Sequence, residues 1–556
     1  MIEISVIIPT YNRAQQLRIC LDALSSQTQP DADFEVVVVD DGSTDTTSTL
    51  LETLKTPYTL RFLKQEHSGQ QNARNRGAQA ARGRYCLFLD DDIVADPNLV
   101  TEHLRVQRQH NGVVAIGQIP IALGATADGS VRYLAESWHA HYARLNRGIR
   151  RPSWRDCYGG NMSVPRAPFF ETGGFAVDLP RGEDVELGYR LERQGLPFIY
   201  VPHAIGTQDV CKKFRDRAAD AQKSGAAWVK LYQRHPPMLP HLFGSFAEGS
   251  RREILLQRAL LSLNVPPRLL AFIGPALAKR SWSYAWYRCL DNYCYWRGVR
   301  QAVPERDTWH RLTHGTPILM YHAFGGSNDS ASRYVLPVRR FERQMAWLKK
   351  MGYEVISLEE LLRCRRENRL PPARSVVITI DDGYADARTF AYPILRGHGF
   401  PATIFLVSDS VGRGNSWDTE GELAGRPMLS WSDIRALLSD NIQFGAHTRT
   451  HPALPSLSAE QARQEIEGSR ADLESKLQVP IRSFAYPYGQ YTSKDQAISE
   501  QAGFLGSCSV RSGFNTPKTP FHALRRIEIQ GTDTLAHFAL KLWLGESRIF
   551  QRFSNS

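Results

Sequence analysis

Three short stretches run from apolar residues straight onto clustered carboxylates. VVVVDDGSTD (36–45) ends on Asp40 and Asp41, RYCLFLDDD (84–92) on Asp90, Asp91 and Asp92, and VVITIDDGYAD (376–386) on Asp381 and Asp382. Carboxylates at the carboxyl ends of buried parallel strands lie where α/β sheets bind ligands. The D-x-D spacing of Asp90 and Asp92 suits a hard divalent cation, Mg²⁺ or Mn²⁺, which takes oxygen ligands and tolerates a bound diphosphate. Downstream of Asp381–Asp382 comes HTRTH (447–451). Histidines at i and i+4 share a face if the segment is helical, and one carboxylate with two imidazoles makes a three-ligand site with a position open to water. Neighbouring side chains on a strand end point different ways, so one aspartate can bind metal while the other serves as base. Taken singly, each acidic turn is also an ordinary helix cap, for which Asp41, Ser43 and Thr44 are well suited.

The elements that must carry these residues alternate. EISVIIPTY, DFEVVVVDD, TLRFLKQ and RYCLFLDDD read as strands, separated by helical AQQLRICLDALSSQ, TSTLLETL and QQNARNRGAQAA. Near-continuous apolar strands between helices predict a mostly parallel sheet covered on both faces. Residues 241–312 change character, with helical patterns rich in Leu, Arg, Trp and Tyr, and a second α/β series opens with PILMYHAF near 316. The expected organisation is a domain over 1–240, a helical segment over 241–312 and a second domain over 313–556.

The chain has 556 residues, too long for one core, and its formal charge of +11 favours contact with anions. No basic run or aromatic–basic interleaving argues for nucleic acid. None of the eight cysteines forms a C-x-x-C pair, so reduced thiols and a cytoplasmic location are expected. The N-terminal apolar run is too short for a signal peptide, and no stretch reaches the ~18–20 apolar residues of a membrane span. Residues 250–303, with Trp282, Trp286, Trp296 and many arginines, leave two readings open. They are helices packed between domains, or a peripheral contact with anionic lipid at the inner face of the membrane.

PTYNR (9–13), DDGSTD (40–45), NARN (72–75), LDDD (89–92), GGN (159–161) and EDVELGYRLERQG (183–195) occur in that order. Together they resemble the family 2 glycosyltransferases of GT-A fold, over about residues 1–240. The resemblance implies a UDP-sugar donor, bound by Pro9, Tyr11, Asp40, Asp41, Arg74 and Asp90. It implies a metal on the diphosphate through Asp92 with Asp90 in support, an acceptor bordered by Gly160, Asn161 and Glu183, and a catalytic base at Asp184. His203, in IYVPHAIG, falls where some GT-A enzymes add a metal-binding histidine, and equally where a strand ends.

In the second half, PILMYH (317–322), TIDDGYAD (379–386), GAHTRTH (445–451) and FAYPYGQY (484–491) resemble the polysaccharide deacetylases of carbohydrate esterase family 4, over about 316–535. That resemblance implies an irregular (β/α) barrel, Asp381 as general base, and Asp382, His447 and His451 as ligands of Zn²⁺ or a similar cation. It also places the backbone of Tyr488 in the oxyanion hole. Three departures stand out. Ile380 replaces a common Phe, the Trp-containing motif expected after the third motif is missing, and the late acid is represented only by His522, with Arg525 or Arg526 as alternative markers. The expected function is bifunctional: a sugar, an N-acetylhexosamine from a UDP donor, is transferred to a carbohydrate or lipid-linked glycan, and an N-acetyl group is removed by hydrolysis. The alternative is one active half beside a degenerate carbohydrate-binding module.

Overall fold

The computed structural model describes residues 2–28, 33–123, 129–209, 214–242, 251–270, 283–326, 332–438 and 440–547. The chain is mixed α/β and divides into two compact units, Met1–Leu231 with Ser250–Ala302, and Tyr232–Gly249 with Val303–Ser556.

In the first unit, strands β1 (Ile4–Thr10), β2 (Phe34–Asp40), β3 (Thr59–Lys64), β4 (Tyr85–Leu89), β5 (Ile93–Ala95), β6 (Val114–Gln118), β7 (Ile121–Ala122), β8 (Asn161–Pro165) and β9 (Phe198–Asp209) form one sheet. Its order is β3-β2-β1-β4-β8-β6-β9-β5, with β7 on β9. β1 and β2 are buried at every residue, which is why their sequences are unbroken apolar runs rather than alternating ones. β1 pairs parallel with β2 on one side and β4 on the other, so the strand order reverses there and opens a crevice at the carboxyl ends.

The helices Phe214–Arg234 and Ser283–Ala302 touch backbone to backbone at two glycines, where a Cβ on Gly298 would lie 1.9 Å from the Gln222 carbonyl. Trp296 on the second helix is fully buried, as helix packing requires. Trp282 lies outside the described residues. No described helix is long and apolar enough to cross a membrane. The seven described cysteines are free and buried; Cys211 lies outside the described residues.

The second unit is built on a parallel sheet of β10 (Ile318–Tyr321), β14 (Ser375–Ile380), β15 (Ala402–Leu406), β16 (Ile442–Ala446), β17 (Ser483–Ala485), β18 (Gly506–Cys508) and β19 (Ile527–Glu528), ordered β18-β17-β16-β15-β14-β10-β19. β13 (Glu354–Val355) adds to β14, while β11 (Ala323–Gly325) and β12 (Val335–Pro337) form a separate ribbon. The two ends of the sheet meet around Leu524 and Arg526, the latter donating its N–H to the Arg511 carbonyl at 2.9 Å. Leu524 donates to the Ser507 carbonyl at 2.9 Å and accepts from Ser509 N–H at 2.8 Å, closing the sheet into the irregular barrel that the resemblance implies. His322, Asp381, His447 and Tyr486 all follow the carboxyl ends of barrel strands.

Candidate active sites

The crevice of the first unit is stitched together by its motifs. Asn12 takes a left-handed backbone (φ 53°), and its side-chain carbonyl accepts from Thr44 N–H at 2.7 Å and Asp45 N–H at 3.2 Å. This ties the PTYNR turn to the DDGSTD turn. Asp40 holds that turn from within, accepting from Ser43 N–H at 2.8 Å and the Ser48 hydroxyl at 2.9 Å. Asp41 faces the next loop, where Gln65 Nε2 and the N–H groups of Ser68 and Gly69 donate to it at 2.7–2.9 Å. Burial alone would raise its pKa, but these donors hold it below the usual carboxylate range. Tyr11, 41% exposed, stacks on His67 with ring centroids 4.1 Å apart, making the rim of the crevice.

Arg74 is the hub. It is buried, with Nη2 donating to Asp90 at 2.6 Å and Nη1 to Glu183 at 2.9 Å, so one guanidinium joins the end of β4 to the start of the helix Glu183–Arg193. The GGN motif follows from this. A Cβ on Gly159 would lie 2.7 Å from the Arg74 guanidinium carbon, and one on Gly160 2.9 Å from Asp90 Oδ2. Gly159→Ala is therefore expected to displace Arg74 and destabilise the unit by about 1–3 kcal/mol. Urea unfolding of the variant measures this. Asp184, part-buried beside Glu183, accepts from Gly159 N–H at 3.1 Å and Val185 N–H at 2.8 Å. Burial, with the charge on Glu183, pushes it up to about 6.

The D-x-D residues are already bonded to basic and amide groups. Asp92 pairs with Arg13 at 3.1 Å and accepts from Gln208 at 3.1 Å, and the intervening Asp91 is buried between Thr10 and Arg13 at 2.8 Å from each. Burial pushes Asp91 up to about 6 against the pull of Arg13. Neither Asp91, the middle residue of D-x-D, nor Arg13, at the end of PTYNR, is given a role by motif spacing, because the contact joins two motifs 78 residues apart.

In the second unit, Asp382, His447 and His451 converge, each offering one ligand atom within 4.8 Å of the others, and all three are buried. His447 Nδ1 bonds the Ala485 carbonyl at 2.7 Å, which fixes the tautomer and leaves Nε2 facing Asp382 at 3.5 Å. His451 Nε2 lies 3.4 Å from the same carboxylate oxygen, and its Nδ1 is buried without a partner. Burial works to raise Asp382, yet its hydrogen bond with His447 and the nearby His451 keep it far below the usual range. Burial, together with His447, lowers His451 to about 3. One carboxylate oxygen with two imidazole nitrogens 3.5 and 3.4 Å from it is the donor set of a divalent metal, so the residues fit one.

The helical condition under which the two histidines of HTRTH would share a face is not met. Residues 447–451 are irregular, and His451 is swung back by left-handed Thr448 and His451, both at φ 65°. Asp382 (φ 72°) and Tyr488 (φ 56°) share this conformation. Elsewhere such positions fall mainly to asparagine, which tolerates them. Four non-asparagine cases in one site are strain of about 1–3 kcal/mol each, held by the barrel around them.

Asp381 is locked by Arg526, whose Nη1 and Nη2 donate to its two oxygens at 2.6 and 2.8 Å, both residues being buried. Burial would raise Asp381, but Arg526 and then His447 hold it below the usual range.

Residues 5–172 match the family model for glycosyl transferase family 2, and residues 368–506 match that for polysaccharide deacetylase. One chain carries a family 2 glycosyltransferase domain and a polysaccharide deacetylase domain. Over 269 residues it is 30% identical to validoxylamine A glucosyltransferase of Streptomyces hygroscopicus subsp. jinggangensis (strain 5008), covering 43% of this chain and 63% of that one. Over 246 residues it is 25% identical to poly-beta-1,6-N-acetyl-D-glucosamine N-deacetylase of Staphylococcus aureus (strain MRSA252), covering 43% of this chain and 81% of that one. The solved mannosyltransferase PcManGT of Pyrobaculum calidifontis, in complex with GDP-Man and Mn2+, aligns at 21% identity and a TM-score of 0.39, over 55% of this chain and 88% of its own.

Within the glycosyltransferase domain, two expected site residues stand apart from the crevice hub. Asn161 is fully buried, its amide donating to the Gln118 and Ala204 carbonyls at 3.1 and 2.9 Å and accepting from His103 at 2.9 Å. It braces β6, β8 and β9 and leaves no polar atom for an acceptor. His203 is exposed on β9 beside the register shift opposite Ile116 and Gln118, and joins no three-ligand cluster among the described residues. Within the deacetylase domain, His522 points to Ser507 at 3.0 Å and Ser499 at 3.4 Å, and burial lowers its pKa. The side chain that reaches Asp381 is Arg526.

Proposed function

We propose that the chain transfers an N-acetylhexosamine from a UDP donor to a glycan or lipid-linked acceptor, with inversion, and removes an N-acetyl group by metal-dependent hydrolysis. The observation that carries this reading is the buried Asp382–His447–His451 cluster beside an arginine-locked Asp381, in the same chain as the Arg74 hub.

In the deacetylase domain, Asp382, His447 and His451 would hold Zn²⁺ or a similar cation. Bound there, the metal would polarise the amide carbonyl and make a water acidic at neutral pH. Asp381 stays ionised against Arg526, and each of its oxygens keeps a lone pair to take a proton from water. The backbone N–H of Tyr488, in the left-handed turn after Pro487, would donate to the oxyanion. In the glycosyltransferase domain, Asp184 takes the acceptor hydroxyl proton, and the Tyr11–His67 stack with Asp41 frames the nucleoside. Asp90 and Asp92 would hold Mg²⁺ or Mn²⁺, which would offset the charge of a diphosphate leaving group. The choice of N-acetylhexosamine is supported by the neighbouring deacetylase and by the name of the staphylococcal relative.

Incubating the full chain with UDP-N-acetylglucosamine, an acceptor glycan and Zn²⁺ should release UDP and then acetate. Acetate without UDP would leave only the hydrolytic half of the reading. The pH profile follows from Asp184. A base at about 6 is ionised above that pH and loses tenfold of its active form per unit below it, so transfer should fall with slope one below pH 6 and plateau above. A transfer rate unchanged down to pH 5 would remove Asp184 as the base.

A further inference from the structure

The two imidazoles of the metal cluster are held in different ways. His447 is oriented by its hydrogen bond to the Ala485 carbonyl, whereas His451 Nδ1 is buried with no partner. A ligand histidine normally has its second nitrogen fixed by an acceptor, so something else must set the His451 ring. The Trp417 indole lies against it, with centroids 4.6 Å apart and planes at 30°, and Tyr488 meets it edge-on at 4.7 Å.

Trp417 comes from the long connection between β15 and β16, and Asn415 fixes it there. Asn415 is buried, and its side-chain carbonyl accepts from Trp417 N–H and Asp418 N–H at 3.1 Å each. Its amide donates to the Tyr384 hydroxyl at 2.9 Å and the Leu423 carbonyl at 3.0 Å. Tyr384 is fully buried two residues after Asp382, and Asp382 is among the groups acting on its hydroxyl. Trp417 also packs on the apolar cluster of Tyr384, Leu423 and Met428. A chain of contacts therefore leads from one metal ligand, Asp382, through Tyr384, Asn415 and Trp417 to another, His451.

We propose that Trp417 is the positioning residue for His451, replacing by ring stacking the hydrogen bond this ligand lacks, and that Asn415 holds Trp417 in register with the Asp382 side of the site. The proposal rests on the reading of the cluster as a metal centre. On this account the 411–428 connection sets metal affinity.

The test is titration of Zn²⁺, and of Co²⁺ for its absorption spectrum, into the metal-free full chain and its variants. Trp417→Ala should weaken Zn²⁺ binding about 10–100-fold and alter the Co²⁺ spectrum, with Trp417→Phe restoring affinity to within about threefold. Asn415→Ala should weaken binding in the same direction, by less. Circular dichroism and melting temperature report whether each variant is folded. Wild-type affinity in a folded Trp417→Ala overturns the proposal, as does failure of Phe to restore it. If the wild-type chain itself binds no Zn²⁺, the metal reading falls and the proposal with it, an outcome distinct from a variant-specific effect.

Discussion

Asp381→Asn is expected to lower deacetylation by about 10²–10⁴-fold while leaving sugar transfer at its wild-type rate. The amide cannot take a proton from water at neutral pH, and the metal-ligand set of Asp382, His447 and His451 is untouched. Asp184→Asn should do the reverse, removing transfer and sparing hydrolysis of a supplied N-acetylated product. The measurement is paired: UDP release and acetate release from the same preparation, with zinc stoichiometry confirming that the deacetylase domain of Asp381→Asn is assembled. Loss of both activities in either variant would contradict two independent centres, and full deacetylation by Asp381→Asn would remove it as the base.

Arg526→Met should have the largest effect on stability. Arg526 and Asp381 are both buried and joined by two hydrogen bonds, so removing the cation strands a carboxylate in the barrel interior and costs about 3–5 kcal/mol. The sign with pH is fixed by direction. In the wild type the folded pKa of Asp381 lies below its unfolded value, so its contribution is present above the unfolded pKa and lost as pH falls through the folded one. In the variant, burial acts unopposed and favours the protonated acid. The stability gap between the two proteins should be widest at neutral pH and narrow on acidification below about 4. Denaturant unfolding at several pH values measures it, and a gap that grows toward acid pH would show that Arg526 does not hold Asp381 ionised.

The strands and their acidic ends were legible because a buried parallel strand must be apolar along its whole length, so β1, β2, β4 and β14 announce themselves and their carboxylates stand out at the exit. Asp382, His447 and His451 were legible for a related reason, since few arrangements other than a metal centre use that trio. The means of joining them was not. Spacing of i and i+4 brings two histidines to one face only in a helix, and here left-handed turns achieve the same approach. Arg526 lies 145 residues from Asp381, and nothing local marks an arginine as internal when its partner is so distant. Asn161 is a conspicuous motif residue whose side chain makes three backbone and side-chain contacts inside the sheet, which no motif spacing foretells. Trp417 escaped because no periodicity or acid–base pattern points to a single indole in a loop.

The closure of the barrel at Leu524 also orders events in time. Arg526 lies two residues beyond Leu524 and immediately before β19, so it reaches Asp381 only when the last strand has docked beside β10, across a loop of about two hundred residues that is entropically slow to close. Asp382, His447 and His451 sit on turns after strands β14 and β16, whereas the ion pair that keeps Asp381 charged waits on this last, most distant pairing.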